Sequence, residues 1–390
     1  MKKALLLIAL TGGWMATQAQ DELINKVKDN GGEDGYVFET VINLDATDVK
    51  NQGSSGTCWS YCTTSFIESE MIRMGKEPVD VAEMYTVRKT YEDKADKYVR
   101  LHGHLNFGQG GALLDVMHVI KYYGAVPQEA YEGLEIGFDY NKHGEMEAVL
   151  KGIVDAVIEN ENGRLSPVWK TSYDATLNAY LGEDPKEFEY NGKTYTPRSF
   201  ADEVVGINPD DYVQFTSFTH HPMHEEVMIQ VPDNWLWAPA YNVELDEMMT
   251  AIDHALEEGY TISWAADVSE KGFSLKNGVA IIPDRDWKDL SDEEKEDIFK
   301  GPHPQLDVTP EIRQLEYDNY QTTDDHGMQI TGIATDQEGN KFYIVKNSWG
   351  TKYGFDGYLY FSEEYVRLKT LSFVVHKDGV PKDIAKAVNM

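Results

Sequence analysis

The sequence predicts an α+β fold with helices early and strands late, and three observations carry that expectation. From Cys58, apolar and aromatic residues recur at steps of three and four (Trp59, Cys62, Phe66, then Ile67, Met71 and Met74), which is the period of a helix face. Leu245, Met248, Met249, Ile252 and Leu256 repeat that pattern. Toward the C-terminus the character changes. Gln329–Thr335, Lys341–Lys346, Gly357–Phe361 and Leu371–Val375 are short β-branched or aromatic runs parted by glycine, asparagine and acidic turns. Segregated helices and strands argue against an alternating βαβ parallel sheet.

Taken in order, Met1–Gln20 opens with Lys2 and Lys3, continues as the apolar Ala4–Leu10 and ends in the small-x-small Thr17-Gln18-Ala19. This is the pattern of a signal peptide spanning 1–19, exporting the chain to a periplasm or the exterior. The apolar run stops at Gly12-Gly13, short of the roughly 20 residues that span a bilayer, and no cysteine follows it to carry a lipid anchor. Residues 20–44, with the glycine- and acid-rich Asn30–Gly35, read as an N-terminal arm. Residues 45–130 should form a helical lobe. In it the helix from Cys58 is closed by Gly75 at its C′ position, and a second covers Ala112–Tyr123 and is closed by Gly124. Residues 131–243 are long, charged and without a repeat, and read as an insertion. Residues 244–380 begin with the helix Glu244–Glu258, stopped by Gly259, and the buried strand Tyr260–Ala266. A short helix capped by Ser291-Asp292-Glu293-Glu294 follows, and then the late strands. Residues 381–390 are a tail.

Among 390 residues, 67 acidic side chains face 35 basic ones, for a net charge of −32. Nucleic acid is an unsuitable partner, because its phosphates need neutralising cations. An anionic membrane surface is excluded on the same ground. Hydrophobic content of 41% with 23 tyrosines supports a sizeable core, and two cysteines cannot build a disulfide scaffold.

Cys58 is where chemistry is most legible. It follows the turn-rich Asn51–Thr57 and starts a helix, where the positive end of the dipole favours a thiolate. Core packing explains Cys62, one turn on, but does not call for the glycine-serine approach loop before Cys58. A nucleophilic cysteine needs a base and a group that orients it. His326 fits the first role and Asn347, in Asn347-Ser348-Trp349-Gly350, the second. The expectation is that the asparagine carbonyl accepts the imidazole Nδ1–H and that Trp349 shields this bond from water.

These residues resemble the papain-like cysteine peptidases. Gln52 stands six residues before Cys58, and Ser55-Gly56-Thr57-Cys58-Trp59 parallels that family's C-G-[SA]-C-[WY] signature without its first cysteine and with Thr57 in place of Ser or Ala. The interval from Cys58 to His326 exceeds the family's usual roughly 130–150 residues by more than about a hundred. That insertion, the Asn51–Gly56 approach and the Val345–Tyr360 segment resemble the bleomycin hydrolase/aminopeptidase C branch over most of the chain, from about Asp45 to Val380. The resemblance implies a two-lobed papain-like fold, a helical lobe facing a β-barrel-like one. It implies Cys58 as nucleophile, His326 as base and then acid, and Asn347 as the orienting group. Gln52 becomes the oxyanion donor beside the Cys58 backbone N–H. Gly110-Gly111 becomes the glycine pair that lets a substrate backbone approach, with Trp349 beside it at the substrate site. Peptides are the implied substrates and no cofactor is needed. Homo-oligomers occur in the branch, and the sequence leaves assembly open.

The branch uses its own C-terminal carboxylate to receive a substrate amine, and here only nine residues follow Pro381. An exported aminopeptidase is the leading expectation, with any replacement anion to come from the acidic insertion. A cysteine endopeptidase with an open cleft and an inactive binding scaffold are the alternatives. His220-His221-Pro222-Met223-His224 lacks the HExxH order, and Pro222 interrupts helical spacing, so no metal site is expected there. Gly108–Gly111 lacks a dinucleotide fingerprint.

Overall fold

In the computed structural model, residues 35–390 are described, apart from Asn162. The expected signal peptide and most of the expected arm therefore lie outside the described residues. Helices α1 (Cys58–Arg73), α2 (Glu83–Arg100) and α3 (Leu113–Tyr122) come first, followed by α4 (Gly144–Ile158), α5 (Val168–Leu181) and α6 (Leu245–Glu257). The helices expected from Cys58, Ala112 and Glu244 form within one or two residues of their bounds. Gly75, Gly124 and Gly259 close them at φ +72, +96 and +87, the left-handed region that favours glycine.

The strands are β1 (Glu39–Asn43), β2 (Tyr212–Thr216), β3 (Glu225–Met228), β4 (Pro239–Asn242), β5 (Ile262–Ala266), β6 (His326–Thr335), β7 (Lys341–Lys346), β8 (Tyr358–Ser362) and β9 (Thr370–His376). They join in the order β3-β4-β2-β9-β5-β6-β7-β8, with β1 paired to β6 and two short strands beyond β8. Most pairs are antiparallel, whereas β2–β4 is parallel. In the β6–β7 pair, Gln329 faces Lys346. The start of β6 and the turn after β7 therefore lie at one end of the sheet, which brings His326 and Asn347 together.

Two large cores hold the lobes. One collects α1–α5, with Phe66, Val87, Val119, Leu150 and Leu177 fully buried. The other lies between the sheet and α6, around Ile252, Trp264, Met328 and Phe373. Residues 131–243 do not form a core of their own. Met146, Leu150 and Val154 of α4, with Tyr173, Leu177 and Leu181 of α5, pack into the helical core, and β2–β4 extend the sheet. The C-terminal residues fold back as the short helix Lys382–Ala387, whose Ile384, with Val388, is buried in the sheet core.

Candidate active site

The N-terminus of α1 is built by a loop that bonds to itself and to the opposite lobe. Gln52 Nε2 donates to the Ser55 carbonyl at 2.7 Å, Ser55 Oγ donates to the Gln52 carbonyl at 2.7 Å, and Ser55 Oγ lies 2.6 Å from Thr57 Oγ1. Ser348 Oγ donates to Gln52 Oε1 at 2.6 Å, and Gln52 N–H donates to the Ser348 carbonyl at 2.9 Å. The loop before Cys58 is thus tied to the turn that carries Asn347. Only one of the two Gln52 amide protons is used by the Ser55 carbonyl. Gln52 itself is buried.

Across the cleft, His326 opens β6 in a buried position. Its Nε2 lies 2.8 Å from Asn347 Oδ1, which also accepts the Ser348 N–H at 2.7 Å. This corrects the expected nitrogen. Asn347 holds Nε2, so Nδ1 is the ring nitrogen left for the thiol. Trp349 stacks on the imidazole with ring centroids 4.3 Å apart and planes 26° apart. It covers the histidine and is not among the residues lining the cleft.

Cys58 is half-buried, and the backbone N–H of Gly327, next to His326, favours its charged form. Cys58, His326 and the pair Gly110-Gly111 line one cleft of about 220 Å³. Gln109 fixes the glycine pair. Its Oε1 accepts the Gly56 N–H at 2.8 Å, its carbonyl accepts Trp59 Nε1–H at 3.0 Å, and its Nε2 donates to Glu147 at 2.6 Å. A β-carbon at Gly111 would stand 2.8 Å from the Trp59 ring, so a glycine is required where the loop crosses it.

Burial pushes the Cys58 thiol up to about 12, helped by Cys62 and Asp324, against the helix terminus that favours thiolate. Burial also pushes His326 down to about 4, with the Asn347 hydrogen bond opposing it. Each group alone is therefore neutral at pH 7. A thiolate arises here by passing the proton to the imidazole, which creates both charges as a pair.

Sequence reading looked to the acidic insertion for an anion but named no residue of this lining. Asp233 and Asn234 from the insertion, and Asp324 just before His326, face the same cleft. A β-carbon at Gly110 would overlap the Asp233 carboxylate. Asp324 and Asp325 were visible beside His326, whereas nothing local to Asp233 marked it. The imidazoles of the His220–His224 segment do not gather at one point: the His220 and His221 rings lie against each other, 4.0 Å between centroids, and His224 pairs elsewhere. His220 lies against Gln314 and Tyr317, and His224 Nε2 is 2.7 Å from Glu247. Among the described residues, no group of histidine, cysteine and acidic side chains is arranged to hold a metal, and no helix is long and apolar enough to cross a membrane.

A family model described as "Peptidase C1-like family" matches residues 175–390, the stretch that holds His326 and Asn347. The chain is 24% identical to "Aminopeptidase C" of Lactococcus lactis subsp. lactis (strain IL1403), over 91% of this chain and 86% of that one. It is 22% identical to "Cysteine proteinase 1, mitochondrial" of Saccharomyces cerevisiae (strain YJM789), over 94% and 82%. In fold it is similar to the crystal structure of PepW from Lactobacillus rhamnosis HN001. The TM-score is 0.70, with 18% identity and coverage of 100% of this chain and 95% of that one.

Proposed function

The chain belongs to the Peptidase C1-like family, and from that premise we propose that it is a cysteine aminopeptidase releasing N-terminal residues from peptides. It is a papain-like cysteine peptidase of the aminopeptidase C branch. The observation that carries the mechanism is the meeting of Cys58 and the Asn347-held His326 on one cleft.

In the proposed reaction, the Cys58 thiol passes its proton to His326 Nδ1 as the sulfur attacks the scissile carbonyl carbon. The negative charge that develops on the carbonyl oxygen is met by the free amide proton of Gln52 and the Cys58 backbone N–H. A donor of this kind is worth about 3–4 kcal/mol in the transition state. The C–N bond breaks as His326 gives its proton to the leaving amine, leaving a thioester on Cys58. Water, losing a proton to His326, attacks the thioester. The acid leaves and the thiol is restored.

Two things support exopeptidase over endopeptidase action. Relatives of similar length carry the name aminopeptidase C. In addition, the Asp233 carboxylate packs against Gly110 in the cleft, and in this reading it stops a polypeptide laid along the glycine pair. No described residue after Ser372 lines the cleft, so this stop is made by the inserted segment and not by the C-terminal helix. Export is part of the proposal and rests on the signal-like Met1–Ala19. N-terminal sequencing of protein recovered outside the cytoplasm checks it, and an intact Met1 there would refute cleavage.

The test uses two fluorogenic substrates, alanyl-aminomethylcoumarin and its N-acetylated form, with Cys58→Ala as the blank. Turnover of the free-amine substrate alone is expected. Equal turnover of both makes the enzyme an endopeptidase, and turnover of neither above the blank returns the inactive scaffold.

A further inference from the structure

An aminopeptidase must recognise a cation, because a peptide α-amine has a pKa of about 7.7–8.0 and is largely protonated at neutral pH. The cleft holds the complementary charge. Asp233 reaches it from the inserted segment and Asp324 from the turn before β6, close enough that the charge of Asp233 opposes ionisation of Asp324. Asn106 Nδ2 donates to Asp233 Oδ1 at 2.7 Å and fixes the carboxylate. Among the described residues neither acid forms an ion pair. Lys94, the cation that acts on both, directs its Nζ to the carbonyls of Gly108 and Gly110 and also faces Asp115. Carboxyl groups therefore outnumber cations beside Gly110, and burial raises both acids, Asp324 to about 7, so a bound ammonium favours their charged forms.

We propose that Asp233, seated over Gly110 and backed by Asp324, is the specificity-determining anion that receives the substrate's α-ammonium. This rests on the aminopeptidase reading and adds the group that recognises the amine. Asn106 holds one Asp233 oxygen and leaves lone pairs on the other, which packs so close to Gly110 that a β-carbon there would overlap it. The same arrangement bears on Cys58. Asp324 opposes formation of its thiolate, and a bound ammonium offsets that charge, so the nucleophile is most readily ionised when a free N-terminus is in place.

The test is the rate at which alanyl chloromethyl ketone and its N-acetyl analogue alkylate Cys58 in the full chain. It needs no turnover. Wild-type protein is expected to favour the free-amine reagent about 10–100-fold, and Asp233→Asn to remove most of that preference without slowing the acetylated reagent. Asp324→Asn should lose part of it, and it carries the test if Asp233→Asn lacks the native melting transition. Preference in the wild type that survives in both variants overturns the inference and leaves the aminopeptidase reading standing. Equal slowing of both reagents in the folded variants makes the acids structural and also overturns it. No preference in the wild type removes the aminopeptidase reading and the inference together.

Discussion

Gly327 lies so close to the first turns of α1 that a β-carbon there would stand 2.8 Å from Cys62 Sγ, with the Trp59 backbone at 3.2 and 3.3 Å. This contact sets how near the start of β6 comes to the start of α1, and so how near His326 comes to Cys58. Gly327→Ala forces the two elements apart. We expect a stability loss of about 1–3 kcal/mol from overpacking. The loss in kcat/KM should be larger, about 100-fold, because a small displacement of the reacting groups is costly. Cys62→Ala in the same chain should restore part of both. Steady-state kinetics and urea unfolding of the single and double variants measure this, and full activity in Gly327→Ala would break the link.

Asn347 holds one nitrogen of His326, so Asn347→Ala frees the ring to turn. The expected result is a kcat reduced by about 100-fold, with KM little changed. The hydrogen bond favours the protonated ring. Its loss therefore also moves the acidic limb of the pH profile lower, which a purely structural defect would not do.

The wild-type profile has its own signature. Burial lowers His326 to about 4, against about 6.5 for a free imidazole. The base must be neutral to take the thiol proton, so activity is retained through pH 6 and falls only as His326 charges near pH 4. A limb in kcat/KM near 6.5 would contradict the burial of this ring.

Arg313 supports the site from a distance. Its guanidinium is buried and donates to the carbonyls of Ser217, Arg367, Leu368 and Thr370, joining the end of β2 to the start of β9. Burial lowers it to about 9. Arg313→Ala leaves these carbonyls without their donor and should cost about 3–5 kcal/mol, read as a lower urea midpoint with an unchanged slope. A midpoint within error of the wild type would contradict this bridging role.

The parts of this site that the sequence revealed are those with local signatures. The α1, α3 and α6 helices show a broad apolar face and a glycine stop, and the turn residues around Cys58 and Asn347 identify themselves by spacing. The α2 helix was not anticipated, because Glu83, Arg88, Lys89 and Lys94 are buried in it and dilute the apolar period. The α4 and α5 helices bury single ladders at i, i+4 (Met146, Leu150, Val154; Tyr173, Leu177, Leu181), too narrow to stand out among charged neighbours. The imidazole nitrogen facing Asn347 depends on how the ring is oriented, which spacing does not encode. Asp233 is a cleft residue only because β2–β4 join the sheet and carry the segment between them over Gly110. No stretch of sequence around it records that.

The most direct measurement is mass spectrometry of the enzyme quenched by acid during turnover of a free-amine tripeptide ester, followed by digestion. The mechanism predicts one aminoacyl residue, and not a longer acyl group, as a thioester on the peptide containing Cys58, absent when His326 is replaced by alanine. Turnover with no adduct on Cys58, or an adduct carrying two or more residues, would contradict a cysteine aminopeptidase acting through this site.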